Sequence, residues 1–327
     1  MLRTLITLFL LAALALGSWA AWQIYAPLTP PASTSLLFHS GYSTHRIAVE
    51  LKKAGVIRSE LAFRLWHRLH PQPRLKAGEY VFEQPATLTQ VHDRIARGDI
   101  YFHVVTIPEG YTMFDIAKAM QDAGLGSEQD FLQIAQTQTA LIADLAPEAK
   151  SLEGYLFPNT YQFTRTQSLE EMTAEMVHQF RLVAQQMGLN SDVQRTVTLA
   201  SIVEKETAVP EERPLVASVY ANRLAKKIAL DADPSVIYAL LQAGAYTGSL
   251  HHADLAVRSP YNTYRYPGLP PGPIGNPGRD SLAAALHPAS TQFLYFVSDG
   301  NGHHRFARSL EEHNRNVAAY RRALRLH

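Results

Sequence analysis

The chain has 327 residues, with 30 Lys and Arg against 29 Asp and Glu, 46% hydrophobic residues and no cysteine. That apolar fraction supports real cores in about two domains and excludes wholesale disorder. The balanced charge lacks the basic footprint of a nucleic-acid partner, and the missing thiols exclude disulfides, zinc–cysteine sites, iron–sulfur clusters and cysteine nucleophiles.

From Thr4 to Ile24 there is no charged residue. As a helix this run would be roughly 31 Å long, enough to cross the hydrocarbon core of a bilayer. Only the amino terminus and Arg3 precede it, and no Lys or Arg follows until Arg46. The positive-inside rule therefore puts the short end in the cytoplasm and the rest outside. Trp19, Trp22 and Tyr25 gather at the outer end, as interfacial aromatics do. The competing reading is a cleaved signal peptide, with Ser18-Trp19-Ala20 as its small-x-small site. The apolar run continues past that site, which favours an uncleaved anchor over residues 1–25. On either reading the remainder is exported.

Pro27, Pro30, Pro31 and the run Ala32-Ser33-Thr34-Ser35 read as an extended linker over 26–36. Ile47, Ala48, Leu51 and Ala54, then Leu61, Leu65, Trp66 and Leu69, recur at helical spacing, and Gly55 divides them into two short helices. A strand over 78–82, a helix over 88–95 and a strand over 102–107 complete a small α+β unit spanning 37–105. On pattern alone it is a spacer or a ligand-binding module.

Residues 106–327 read as mostly helix, over 113–120, 128–135, 169–187, 193–204 and 210–224. Asp233-Pro234 predicts an N-cap followed by proline at the first helical position. An irregular segment follows over 259–279; Pro and Gly supply nine of the twelve residues from Pro267 to Gly278, which suits the stiff wall of a cleft. A helix from Asp280, a strand over 293–298 and a helix over 310–324 close the chain.

The most informative stretch is Leu199-Ala200-Ser201-Ile202-Val203-Glu204-Lys205-Glu206-Thr207. Two carboxylates two apart on a helix point in different directions, so their surroundings differ. Positions three, four and seven before Glu206 are Val203, Ile202 and Leu199, all large and apolar, whereas those before Glu204 include Ser201 and Ala200. Glu206 thus prolongs the apolar stripe, where desolvation raises a carboxyl pKa and keeps a general acid protonated. The plainer alternative is a frayed helix end with Glu206 in water. Ser201 and Lys205, four apart on one helix face, have the spacing of a Ser-Lys pair, but helix packing and a solvated charge are the favoured reading. The doublets His251-His252 and His303-His304 do not make two-ligand motifs, because adjacent side chains diverge, and no metal site or phosphate-binding glycine loop is indicated. Tyr261, Tyr264 and Tyr266 beside Asn262 offer stacking surfaces for a sugar, or bury against their own loop.

The string Ala200-Ser201-Ile202-Val203-Glu204-Lys205-Glu206-Thr207, with Arg223-Leu224, Asp233-Pro234-Ser235-Val236-Ile237-Tyr238, Tyr261-Asn262-Thr263-Tyr264 and Gly268-Leu269-Pro270-Pro271-Gly272-Pro273-Ile274, resembles the MltG (YceG-like) family of endolytic murein transglycosylases. Upstream, Leu152-Glu153-Gly154-Tyr155-Leu156-Phe157-Pro158-Asn159-Thr160-Tyr161 matches as well. The resemblance implies an α+β protein with an N-terminal transmembrane helix, a small LysM-like α+β subdomain and a larger, mainly helical catalytic domain in the periplasm, held by the inner (cytoplasmic) membrane. It implies cleavage of the MurNAc–GlcNAc bond in nascent peptidoglycan strands with 1,6-anhydro-MurNAc ends, ending glycan polymerisation beside the synthases (penicillin-binding proteins), with no cofactor. Its catalytic glutamate falls on Glu206. Tyr238, Tyr261, Asn262 and Tyr264 are the expected substrate-binding residues, Asp233 a helix cap, and Glu153 a support for the site or an arginine partner. The alternative is a non-catalytic peptidoglycan-binding scaffold that recruits synthases.

Overall fold

A computed structural model describes residues 1–70 and 74–324. The chain divides into two compact units, Met1–His103 with Gln162–Ser168, and Val104–Tyr161 with Leu169–His327.

The first unit opens with a single apolar helix, α1 (Leu2–Tyr25), long and apolar enough to cross a membrane, a test that a signal sequence also passes. There follow β1 (Thr34–Phe38), α2 (Thr44–Lys53), α3 (Glu60–Leu69), β2 (Gly78–Phe82) and α4 (Leu88–Arg97). Side-chain caps start each short helix: Ser43 accepts from the Arg46 amide, Ser59 from that of Ala62, and Thr87 from that of Gln90, whose side chain reciprocates. These bonds satisfy amides that the first turn leaves without partners. β1 and β2 pair antiparallel, Thr34 opposite Phe82 and Phe38 opposite Gly78, and the helices cover them with Ile47, Leu51, Phe63, Val91 and Ile95.

The strand β1 corrects the expected linker. Leu36 and Phe38 share one face of it and pack on the core of the unit, and earlier in the same stretch Leu28 exchanges backbone hydrogen bonds with Ala86 at 2.9 and 3.1 Å. Prolines made the stretch look extended and free; its apolar members in fact find partners. Within this unit Glu79 is 2% exposed and accepts hydrogen bonds from Ser35, from His103 at 2.7 Å and from Arg165 at 3.2 Å. Burial alone would raise its pKa, but these donors outweigh it and hold the carboxyl below its ordinary range.

The chain enters the second unit through β3 (His103–Ile107) and continues as α5 (Met113–Asp122), α6 (Glu128–Thr137), β4 (Asn159–Phe163), α7 (Leu169–Gln186), α8 (Val193–Glu206), α9 (Arg213–Ala225), α10 (Asp233–Gln242), α11 (Arg279–Leu286), β5 (Tyr295–Ser298), β6 (His304–Ala307) and α12 (Leu310–Leu324). Its centre is α8, which buries every residue from Thr196 to Val203 against α9, α10 and α11. The hydroxyls of Thr198 and Ser201 inside it donate to the carbonyls of Gln194 and Thr198, and alanines at 217, 284 and 285 let its neighbours approach. β5 and β6 form an antiparallel hairpin, Tyr295 opposite Ala307, with α12 packed on it.

Three further departures have local causes. The helix α8 runs two residues past the expected 204, to Glu206. The residues before α9, Pro210–Glu212, form a 3-10 turn. Asp233 is the first helical residue rather than the cap: Ala232 holds the N-cap position without a side-chain bond, and the Asp233 carboxylate is taken by the Tyr264 hydroxyl at 2.6 Å.

Gly154 has φ of +89°, and a Cβ there would lie 2.4 Å from the Pro273 ring and 2.8 Å from Val197. Gly154→Ala is expected to cost about 3 kcal/mol, combining a left-handed backbone with overpacking. Guanidinium unfolding of the full chain checks this, and an unchanged midpoint contradicts it.

Candidate active site

Glu206 closes α8, and its place follows from the stripe behind it: Leu199, Ile202 and Val203 are buried and hold that face of the helix in the core. Thr207 then leaves the helix in extended conformation, and its hydroxyl accepts from the Val209 amide at 3.1 Å, turning the chain toward α9. From α9 the Tyr220 hydroxyl donates to the Glu206 Oε1 at 2.8 Å. Tyr220 is itself buried, braced edge-to-face on Phe296 at 5.9 Å.

Glu204, two residues earlier, has another fate. Arg213 pairs with it at 3.0 Å, and its second oxygen accepts from the Gly278 amide at 2.9 Å, at the start of α11. Arg213 also reaches Glu109 at 3.4 Å and Asp280 at 3.5 Å. Glu204 is thus a neutralised helix anchor, while among the described residues no ion pair reaches Glu206. Burial raises the Glu206 pKa to about 6, against the Tyr220 hydrogen bond, which favours the carboxylate; Asp233 adds to the rise, and His304 and Arg223 oppose it.

Glu206 opens into a cleft of about 390 Å³. Arg223, Asp233 and Tyr264 supply its polar wall, with Tyr295, Phe296 and Leu310 beside them. Arg223 ties this wall together: Nε donates to the Leu294 carbonyl at 2.7 Å, and Nη1 to the carbonyls of Ala229 and Leu230 and to Asp231 at 3.0–3.1 Å. His313 stacks on Tyr295 at 5.1 Å, and burial lowers its pKa, with Arg223 adding to the fall. Larger clefts of about 530 and 560 Å³ lie in the first unit and one of about 480 Å³ in the second, but the cleft at Glu206 is the one that joins a buried carboxyl to tyrosine and arginine side chains. Chemistry rather than size selects the cleft at Glu206.

The four expected sugar-binding residues separate. Tyr264 shares the cleft with Glu206. Tyr238 is 1% exposed and packs against Tyr261 at 5.0 Å and Phe114 at 6.1 Å. Asn262 is fully buried; its amide donates to the carbonyls of Leu255 and Val257, and its oxygen accepts from the Tyr264 amide at 3.0 Å. Thr263 accepts from the Ala232 amide at 3.0 Å, so this loop is fastened to the start of α10 and presents Tyr264. Ser201 donates to the Thr198 carbonyl and accepts from the Ile274 amide, which spends it on packing. Among the described residues no arginine pairs with Glu153: it accepts from the Met113 amide at 3.0 Å, at the start of α5, and from Asn276 at 2.8 Å. Burial raises its pKa to about 7. The His303 and His304 rings both meet Glu212, at 3.2 and 2.6 Å, and join β6 to the turn before α9. Among the described residues no group of three or more His, Asp or Glu side chains is placed to hold a metal ion.

Sequence reasoning missed Tyr220, Arg223 and His313. The first two lie three apart on one face of α9, a spacing that pairs a hydroxyl with a guanidinium, yet only folding shows which carboxylate they face.

Since Glu206 binds its proton more tightly folded than unfolded, the stability it contributes is present below about pH 4.5 and lost as pH rises through about 6. Glu206→Gln is therefore expected to stabilise the chain by at most about 2 kcal/mol at pH 8 and negligibly at pH 4. Thermal unfolding at both values checks the sign; a loss of stability at pH 8 contradicts it.

Comparison with known proteins gives one consistent family. The model of the YceG-like family matches residues 37–319. An endolytic murein transglycosylase of Bacillus subtilis (strain 168) is 35% identical over 302 residues, covering 86% of this chain and 83% of that protein. An endolytic murein transglycosylase of Streptococcus pneumoniae is 30% identical over 318 residues, covering 86% of this chain and 57% of that longer protein. A crystal structure of a yceG-like protein from Listeria monocytogenes is 32% identical, with a TM-score of 0.58, covering 86% of this chain and 98% of that one.

Proposed function

The chain belongs to the YceG-like family, and from that premise we propose that Glu206 is the single catalytic acid and base of its endolytic murein transglycosylase activity. The observation that supports this most is the split between the two glutamates: Glu204 is neutralised by Arg213, whereas Glu206 faces the cleft with a hydroxyl as its partner and its pKa raised to about 6.

A hydrolytic glycosidase ordinarily works with two carboxylates, one acid and one nucleophile or base. Here one suffices. Protonated Glu206 gives its proton to the glycosidic oxygen between MurNAc and GlcNAc as that bond breaks. The resulting carboxylate takes the proton of the muramoyl C6 hydroxyl, whose oxygen closes on C1 to form the 1,6-anhydro ring. The nucleophile belongs to the substrate, and Glu206 ends protonated, ready for another cycle. Tyr220 holds the carboxyl in position and eases its charged state between the two transfers. Tyr264, set by Asp233, offers its ring and hydroxyl to a sugar at the cleft wall. Tyr238, Tyr261 and Asn262 serve the same site from behind, by building the loop that carries Tyr264.

We read α1 as a membrane span with the rest of the chain in the periplasm, on the strength of its length, the charges flanking it and its outer aromatics. The strand–helix–helix–strand order from β1 to β2 supports a LysM-like subdomain. Peptidoglycan strands are the substrate, and placement next to the synthases would let cleavage end polymerisation.

Glu206→Gln is expected to abolish anhydro-ended products from purified glycan strands, by mass spectrometry, while the protein stays folded; undiminished release refutes the assignment, and reducing MurNAc ends from the wild type mark a hydrolase instead. Wild-type kcat/KM is expected to fall as pH rises above about 6, where Glu206 loses its proton. Tyr220→Phe removes a bond to the carboxylate and shifts that limb to higher pH; a shift downward, or none, contradicts the role given to Tyr220.

A further inference from the structure

The surroundings of α3 carry an inference that rests on reading α1 as a membrane span. Phe63 turns into the core, but Leu61, Leu65 and Leu69 stand 62%, 50% and 75% exposed. Spaced four apart, they form one stripe along the helix. Arg64 and Arg68 border it on one side and Trp66 on the other.

Isolated surface leucines need no explanation, but this stripe continues the surface of α1. Leu61, Leu65 and Leu69 share a cavity of about 220 Å³ with Trp19, Ala20 and Ile24. Trp66 meets Tyr25 edge-to-face at 6.0 Å. The unit is also fastened to the end of the span. Arg58 donates to the carbonyls of Ala26 and Pro27 at 2.6 and 2.7 Å, its guanidinium lies 4.6 Å over the Trp22 ring, and Leu28 bridges to Ala86. The depth of α3 is therefore set by α1. Residues 19 to 24 span roughly 8 Å along the helix, at the level where Trp and Tyr mark the membrane–water boundary.

We infer that α3 lies in the outer interface of the bilayer, its leucine stripe among the acyl-chain ends and Arg64 and Arg68 reaching to anionic headgroups. Lipid is the fitting occupant because the stripe sits beside, and at the depth of, a helix whose own exposed leucines face lipid. An apolar face flanked by arginines is also the pattern of an interfacial helix. Docking of α3 would fix the orientation of the first unit on the membrane, where a span alone leaves it free to rotate.

The chain has no cysteine, so single cysteines at Leu65, Leu69, Lys53 and Leu8 can each carry a nitroxide. In the full chain, reconstituted in phosphatidylethanolamine–phosphatidylglycerol vesicles, collision rates with oxygen and with a water-soluble nickel complex report depth. Labels at Leu65 and Leu69 are expected to lose several-fold in nickel collisions relative to Lys53 while keeping oxygen collisions, at a depth shallower than Leu8. Nickel access equal to that of Lys53, with Leu8 deep in the bilayer, overturns the inference and leaves the span intact. Protection from both reagents overturns it in favour of contact with another protein copy. If Leu8 itself reads as water-exposed, the span reading fails and this inference falls with it.

Discussion

The ion pair between Arg213 and Glu204 is the constraint on which the site depends. Glu204 and Glu206 stand two apart on the last turn of a buried helix, so they point in different directions and their partners decide their roles. Arg213, buried and shared with Glu109 and Asp280, pairs with Glu204 and makes it an anchor, and the Gly278 amide donates to its other oxygen. The remaining carboxyl, Glu206, is left to a neutral hydroxyl in a half-buried cleft. Its raised pKa is a cost to folding that persists because α8 is held on every side.

That hold extends to the irregular loop after Tyr266, whose prolines remove the amides a regular ladder would need. Side chains take over the bonding. Asn276 donates to the Tyr111 carbonyl and to Glu153, and accepts from the Leu156 amide, while Ser201 receives the Ile274 amide. Glu153, read in the sequence as a support for the site or an arginine partner, is the buried hub of this frame and binds the first amide of α5. Two carboxyls with raised pKa values thus do different work: one is enclosed by donors, and the other meets a cleft.

Much of the fold was legible in the sequence because helical spacing of apolar residues is a local signal. The two halves of 47–69, the buried α8 and the closing α12 all lie where that spacing placed them. The strands β1, β4 and β6 were not legible. Each is four or five residues long and carries Ser, Thr, Asn, Gln, His or Arg on both faces, so no apolar alternation marks it and a partner strand supplies what the pattern lacks. At the site, the apolar stripe ending at Glu206 was readable, as was the loop that carries Tyr264. Tyr220 and Arg223 were not, because they reach the cleft through the packing of α9 on α8. Tyr238 and Asn262 carry polar groups and sit in informative strings, yet they are buried, since a loop rich in proline needs side chains to hold it.

The central claim is that the Glu206 carboxyl keeps its proton to an unusually high pH in the free enzyme. Carbon-13 NMR of the chain labelled at the glutamate carboxyls, with the Glu206 resonance identified by its loss in Glu206→Gln, measures this directly. The account predicts a midpoint near 6 for that one resonance. A midpoint near 4.5, the ordinary value for a glutamate in water, would contradict it.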